Sequence, residues 1–155
     1  MKTTLIIVLI SATMWTSGCK KKEETTSGGS AEALSSSVIK GKVYADLNTT
    51  IAGNEDVTSL CTIIAKVSTA DLYTPSPAVP RDRFYSTSVK SDGTYSISVE
   101  AGAKPVSVTV YPQDFETDQI ISTGPTTTQR KIYTKSSFSV TSIQGGVKII
   151  DITYN

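Results

Sequence analysis

Ser91-Asp92-Gly93-Thr94-Tyr95-Ser96-Ile97-Ser98-Val99 is the stretch on which the fold turns. Asp-Gly supplies the positive φ angles that a tight primed hairpin turn demands. Beyond the turn, Tyr95, Ile97 and Val99 alternate with Ser96, Ser98 and Glu100. A period of two puts one set on a buried face and the other in water, which defines a half-buried strand. Residues 84–90, before the turn, supply the other arm of the hairpin.

Outward from this hairpin the same period repeats. Val106, Val108 and Val110 alternate with Ser107, Thr109 and Tyr111, after an edge opened by Ala101-Gly102-Ala103-Lys104-Pro105. Ile39, Gly41, Val43 and Ala45 alternate with Lys40, Lys42, Tyr44 and Asp46. Cys61, Ile63, Ala65 and Val67 share a face from which Lys66 points away. That placement predicts a buried, inert Cys61 thiol. Further strands are expected over 130–134, 137–143 and 147–154, the last preceded by a Gln144-Gly145-Gly146 turn. No stretch carries a 3.6-residue period, and Thr, Ser, Val, Ile and Tyr dominate, which favours strands. The predicted fold is all-β, an antiparallel seven- to eight-stranded β-sandwich over residues 38–155.

The start of the chain has a different character. Met1-Lys2 is a positive beginning, residues 5–10 are an unbroken apolar block, and Thr16-Ser17-Gly18-Cys19 follows. Charged start, short apolar middle and small residues describe a secretory signal peptide. The block falls short of the roughly 20 apolar residues that a membrane span needs. Small residues directly before a Cys resemble a bacterial lipobox, with Thr16 where Leu is usual. The resemblance implies cleavage after residue 18 and acylation of Cys19, including palmitate-type chains. The expected organisation is a signal peptide over 1–18, a lipidated Cys and flexible tether over 19–37, and the sandwich over 38–155. Residues 20–30, Lys-Lys-Lys-Glu-Glu-Thr-Thr-Ser-Gly-Gly-Ser, hold no apolar side chain and read as tether. Charges this close to the Cys resemble the export signal of Bacteroidetes surface lipoproteins, which implies an outer-membrane protein displayed on the cell surface.

Charge and chemistry narrow the function. The chain carries 15 basic and 14 acidic residues. With Lys2 in the leader, the rest is balanced, and nothing points to a nucleic-acid partner. If Cys19 is lipidated, Cys61 has no partner for an intramolecular disulfide. The chain has no His, which removes Ser-His-Asp and Cys-His catalysis and His-based zinc sites. No phosphate-loop or dinucleotide fingerprint occurs.

Two segments remain as candidate sites. Asp114, Glu116 and Asp118, if extended, share one side with Phe115 on the other. They read either as a Ca2+ ligand set, with Asp46, Asn48, Glu55 or Asp56 adding oxygens, or as a solvated strand edge. Residues 70–83 contain three Pro and read as a stiff extended crossover without helix or sheet. Tyr73, Arg81, Arg83 and Tyr85 in and beside it are the candidate contacts for a glycan or a surface-protein partner. Lys40 and Lys42 lie on the wet face of their strand, which argues against a buried Lys–Asn isopeptide bond.

Val38-Ile39-Lys40-Gly41-Lys42-Val43, the Asp92-Gly93-Thr94-Tyr95 hairpin and the apolar strand over 106–111 together carry a resemblance. They are similar to carboxypeptidase regulatory-like, transthyretin-related (prealbumin-like) domains over residues 38–115. That resemblance implies a non-catalytic spacer, stabilising or binding module. The expectation is a lipid-anchored envelope protein that is not an enzyme. Its alternatives are a glycan-binding accessory lipoprotein of a polysaccharide-uptake system, or an assembly subunit of a surface fibre with residues 147–154 as an exchangeable edge strand.

Overall fold

The structure, a computed structural model, describes residues 34–155; the predicted signal peptide, Cys19 and most of the predicted tether lie outside the described residues. The fold is all-β, two sheets packed as a sandwich with a two-stranded arm attached.

The first sheet is organised around β1 (Ser35–Ala45). The short β2 (Glu55–Asp56) and the long β5 (Thr94–Ala101) pair with it antiparallel. The C-terminal residues β10 (Val147–Ile149) and β11 (Ile152–Thr153) run parallel to it along its other edge. The second sheet has the order β4 (Asp82–Ser88), β3 (Thr62–Ser68), β6 (Val106–Pro112), β9 (Phe138–Ser142), all antiparallel. The arm is β7 (Phe115–Thr123) paired with β8 (Thr126–Tyr133).

The alternating apolar residues meet between the sheets. Ile39, Val43, Ile97 and Val99 from the first sheet face Ile63, Val67, Val108 and Val110 from the second, and all are buried. Burying one such side chain contributes about 1.5–3 kcal/mol. Cys61 is buried beside them as a free thiol.

Gly41 explains how the C-terminal segment closes the first sheet. A Cβ at this position would fall inside the backbone carbonyl of Ile150. The bare glycine lets that carbonyl lie over β1, where it accepts a hydrogen bond from the Tyr95 hydroxyl at 2.8 Å. Lys42 N–H donates to Asp151 Oδ1 at 2.9 Å just beyond. The last strand is therefore one segment broken at Ile150–Asp151 into β10 and β11. This break and the two-residue β2 raise the strand count above the expected seven or eight, and the pairing with β1 adds parallel ladders to the antiparallel plan.

Three boundaries differ from the sequence reading. Ser35, Ser36 and Ser37, assigned to the tether, belong to β1: they pair with Ala101, Glu100 and Val99, and Ser37 is buried. Its hydroxyl donates to the Gly146 carbonyl at 3.0 Å. The crossover opens with one helical turn, α1 (Thr69–Leu72), capped by Ser68 Oγ accepting from Ala70 N–H at 3.2 Å. Helix was not expected there, because four residues are too few to show a period. The crossover also ends earlier than expected, since β4 starts at Asp82.

Candidate functional site

The Pro-rich crossover is closed at its neck. Thr69 N–H donates to the Arg81 carbonyl at 2.8 Å, and Arg81 N–H donates to Thr69 Oγ1 at 2.8 Å. Leu72 plugs into the core from inside the loop. The chain then enters β4, where alternation decides which side chains point in. Asp82, Phe84 and Ser86 are exposed, while Arg83, Tyr85 and Thr87 are half-buried on the inner side.

Arg83 is the centre of the resulting cluster. Its Nη1 pairs with Glu100 Oε2 on β5. Its Nη2 donates to the Tyr73 hydroxyl at 3.0 Å, and its Cζ lies 5.8 Å from the Tyr73 ring centroid. β4 and β5 are edge strands of opposite sheets, so this clasp seals one long side of the sandwich. Tyr85 lies on the same inner side; its hydroxyl is buried without a partner, and burial pushes its pKa up.

The structure thus brings Tyr73, Arg83 and Tyr85 together and leaves the Arg81 side chain exposed and apart. Offered by the sequence as outward contacts, the three clustered residues are turned into the seal, because strand parity points odd-numbered β4 residues inward. The exposed ring is Phe84, at 64 %. Glu100, which the sequence reading did not connect to the loop, completes the clasp; a lone carboxylate at the end of an alternating strand was its one signal.

The acidic run does not form the calcium set. Glu116 and Asp118 face the partner strand of the arm, where both bind Arg130: Glu116 Oε1 accepts from Nε at 2.9 Å and Asp118 Oδ1 from Nη1 at 3.4 Å. Asp114 precedes the strand. Of the proposed helpers, Asn48, Glu55 and Asp56 are committed, while Asp46 Oδ1 is buried without a hydrogen-bond partner. Glu55 Oε2 accepts from Leu47 and Asn48 N–H at 2.7 and 3.2 Å, and Asp56 pairs with Lys42 at 2.9 Å. Among the described residues no three His, Cys, Asp or Glu are grouped to hold a metal ion.

The base of the arm is fixed by aromatics. Phe115 stacks on Tyr133 and meets the Tyr154 ring edge-on, each at 5.0 Å between centroids. The Tyr133 hydroxyl and Gln119 Nε2 both donate to the Asp46 carbonyl at 2.7 Å. Past Ile120 the arm carries exposed residues on both faces.

Two shallow cavities, each ≈ 340 Å³, flank the Ile150–Asp151 break. One lies on the outer face of the first sheet over Lys40, Lys42, Lys90, Ser96 and Ile149. Of its charged residues, Lys42 pairs with Asp56 at 2.9 Å. The other lies between Lys135, Phe138, Ile150 and Asp151, where β9 and the C-terminal segment approach. Burial raises the Cys61 pKa, partly opposed by the Tyr154 hydroxyl, which is the reverse of what an activated thiolate needs. No known family model matches this chain, and no curated protein is significantly similar to it.

Proposed function

We propose that this protein is a lipid-anchored cell-envelope lipoprotein, displayed at the outer-membrane surface. In this reading its prealbumin-like sandwich serves as a non-enzymatic binding or structural module of the carboxypeptidase regulatory-like type. The observation that carries the reading is the short apolar leader ending at Thr16-Ser17-Gly18-Cys19, followed by a charged, apolar-free stretch. A complete sandwich that begins at Ser35 supports it, since a tethered folded module is the arrangement such a leader serves. The absence of His, the inert environment of Cys61 and the commitment of Arg83, Glu116 and Asp118 to ion pairs within the fold support a role without catalysis.

Intact-mass analysis of the membrane fraction, paired with protease shaving of whole cells, tests the reading. The expected result is a chain starting at Cys19 with acyl mass added, lost on shaving and absent in a Cys19→Ala variant. A soluble, unacylated chain overturns the anchor. An acylated chain that resists shaving overturns surface display and leaves an envelope module facing inward.

A further inference from the structure

We infer that the open long side of the sandwich, where β9 and β10 form the sheet edges, docks on an anionic lipid surface. This rests on the anchor reading above.

β10 carries the apolar part. Ile149 is 73 % exposed and Val147 55 % exposed, with Ile143 of the preceding turn at 42 %. Large aliphatic side chains gain nothing from water, and three of them along one short edge form a continuous apolar rim. Cations flank this rim on both faces of the edge. Lys40, the cross-strand partner of Ile149, shares its outer face, while Lys148, the partner of the inward-facing Ile39, points to the opposite face, and Lys135 lines the cavity beside Ile150. None of these three lysines forms an ion pair among the described residues. The one carboxylate lining the two cavities is Asp151, whose Oδ1 already accepts from Lys42 N–H. Aliphatic residues that enter the headgroup layer, flanked along the edge by ammonium groups that meet its phosphates, are the composition of an interfacial contact.

The path of the chain favours a membrane over a free partner. Gly145 N–H donates to the Ser36 carbonyl and Val38 N–H to the Gly146 carbonyl, at 2.8 and 2.9 Å. The N-terminal start of β1 therefore lies against the turn that leads into β10. Cys19 is 16 positions before Ser35. At no more than about 3.5 Å per residue, an acylated Cys19 keeps this edge within roughly 55 Å of the bilayer at all times. The edge is a poor template for an added strand. Gly146 O and Ile150 N–H bond to β1, so only Val147 and Ile149 turn their amides outward.

Hydrogen exchange of the protein isolated from cells, mixed with phosphatidylcholine vesicles with or without phosphatidylglycerol, tests the docking. Intact mass of the same sample reports acylation of Cys19. Exchange at Val147 and Ile149 is expected to slow by about tenfold or more on the anionic vesicles only, with β4 unchanged. A V147S/I149S variant is expected to lose the effect, and each of Lys40→Glu, Lys135→Glu and Lys148→Glu to weaken it roughly fivefold or more. Acylated protein with equal exchange on both vesicles overturns the docking and leaves the anchor standing. Unacylated protein that still slows on anionic vesicles removes the anchor and keeps the docking. Unacylated protein with equal exchange overturns both. Slowing without vesicles that grows with protein concentration overturns it in favour of pairing between copies.

Discussion

The two long sides of this sandwich are each edged by one strand from either sheet and are finished in opposite ways. On one, β4 and β5 are joined by Arg83, which reaches both Glu100 and Tyr73, so the cation is spent inside the fold. On the other, the C-terminal segment lies over Gly41, and Lys40, Lys135 and Lys148 are left without carboxylate partners among the described residues while Val147 and Ile149 are exposed. The lesson is that a charged or aromatic residue near an edge indicates a contact surface only when its partners within the fold are known. The residues that looked most like a binding loop belong to the sealed side.

The strongest way to break the comparison is Gly41→Val. Its side chain would displace the Ile150 carbonyl and the hydrogen bond from Tyr95, removing the support of the whole open side. A loss of about 3 kcal/mol or more is expected in urea unfolding, with β10 and β11 exchanging first. A wild-type midpoint would mean that Ile150 does not lie over β1.

Alkali probes the same contact. Burial, aided by the charge of Asp151, pushes the Tyr95 pKa up to about 12, against an ordinary value near 10. The unfolded chain releases this proton first, so the stabilisation is complete below pH 10 and is lost as pH rises through the folded value. The expected loss is about 2 kcal/mol by pH 12. Urea midpoints recorded against pH in wild type and Tyr95→Phe check it: the variant's slope above pH 10 should be shallower. Equal slopes would mean that Tyr95 is not buried as described.

Arg83→Ala opens the sealed side. The pair with Glu100 is part-exposed, so the equilibrium cost is modest, about 1 kcal/mol. Local exchange should nevertheless rise along β4 and around Thr69 and Arg81. A double-mutant cycle with Glu100→Ala measures the coupling, and a coupling near zero would make Arg83 a surface residue after all.

Ile149→Ser is the smallest expected effect on the isolated fold, within about 0.5 kcal/mol, because that side chain packs on little. A larger loss in calorimetry would show that the open side is packed, and would sharpen the comparison against us.

Much of the fold was legible because it follows from period two. Every alternating run from Ile39 to Val110 became a strand, but the expected hairpin between residues 84–90 and 95–99 did not form: β4 pairs with β3 and β5 with β1. The Asp92-Gly93 turn therefore joins two sheets, with positive φ at Gly93 (75°) but not at Asp92, whose Oδ1 accepts from Thr94 N–H at 3.0 Å. The arm was legible only at one end, where the strand expected over 130–134 is the end of β8. Its eight-residue β8 is mostly Thr, Gln and charge with one buried residue, Tyr133, so no wet and dry faces separate in the sequence. Nor was the fate of the candidate site. Tyr73, Arg83 and Glu100 are up to 27 positions apart and meet only because β4 and β5 border the same side.

By itself the sequence determined the strand content and the buried Cys61, because each depends on near neighbours in the chain. Only the tertiary structure decided that Gly41 is a gap for Ile150, that Arg83 is a clasp, that Glu116 and Asp118 bind Arg130, and that the lysines of the open edge have no ion-pair partner among the described residues. Each of these depends on a partner from another strand, and no local pattern encodes which strand that will be.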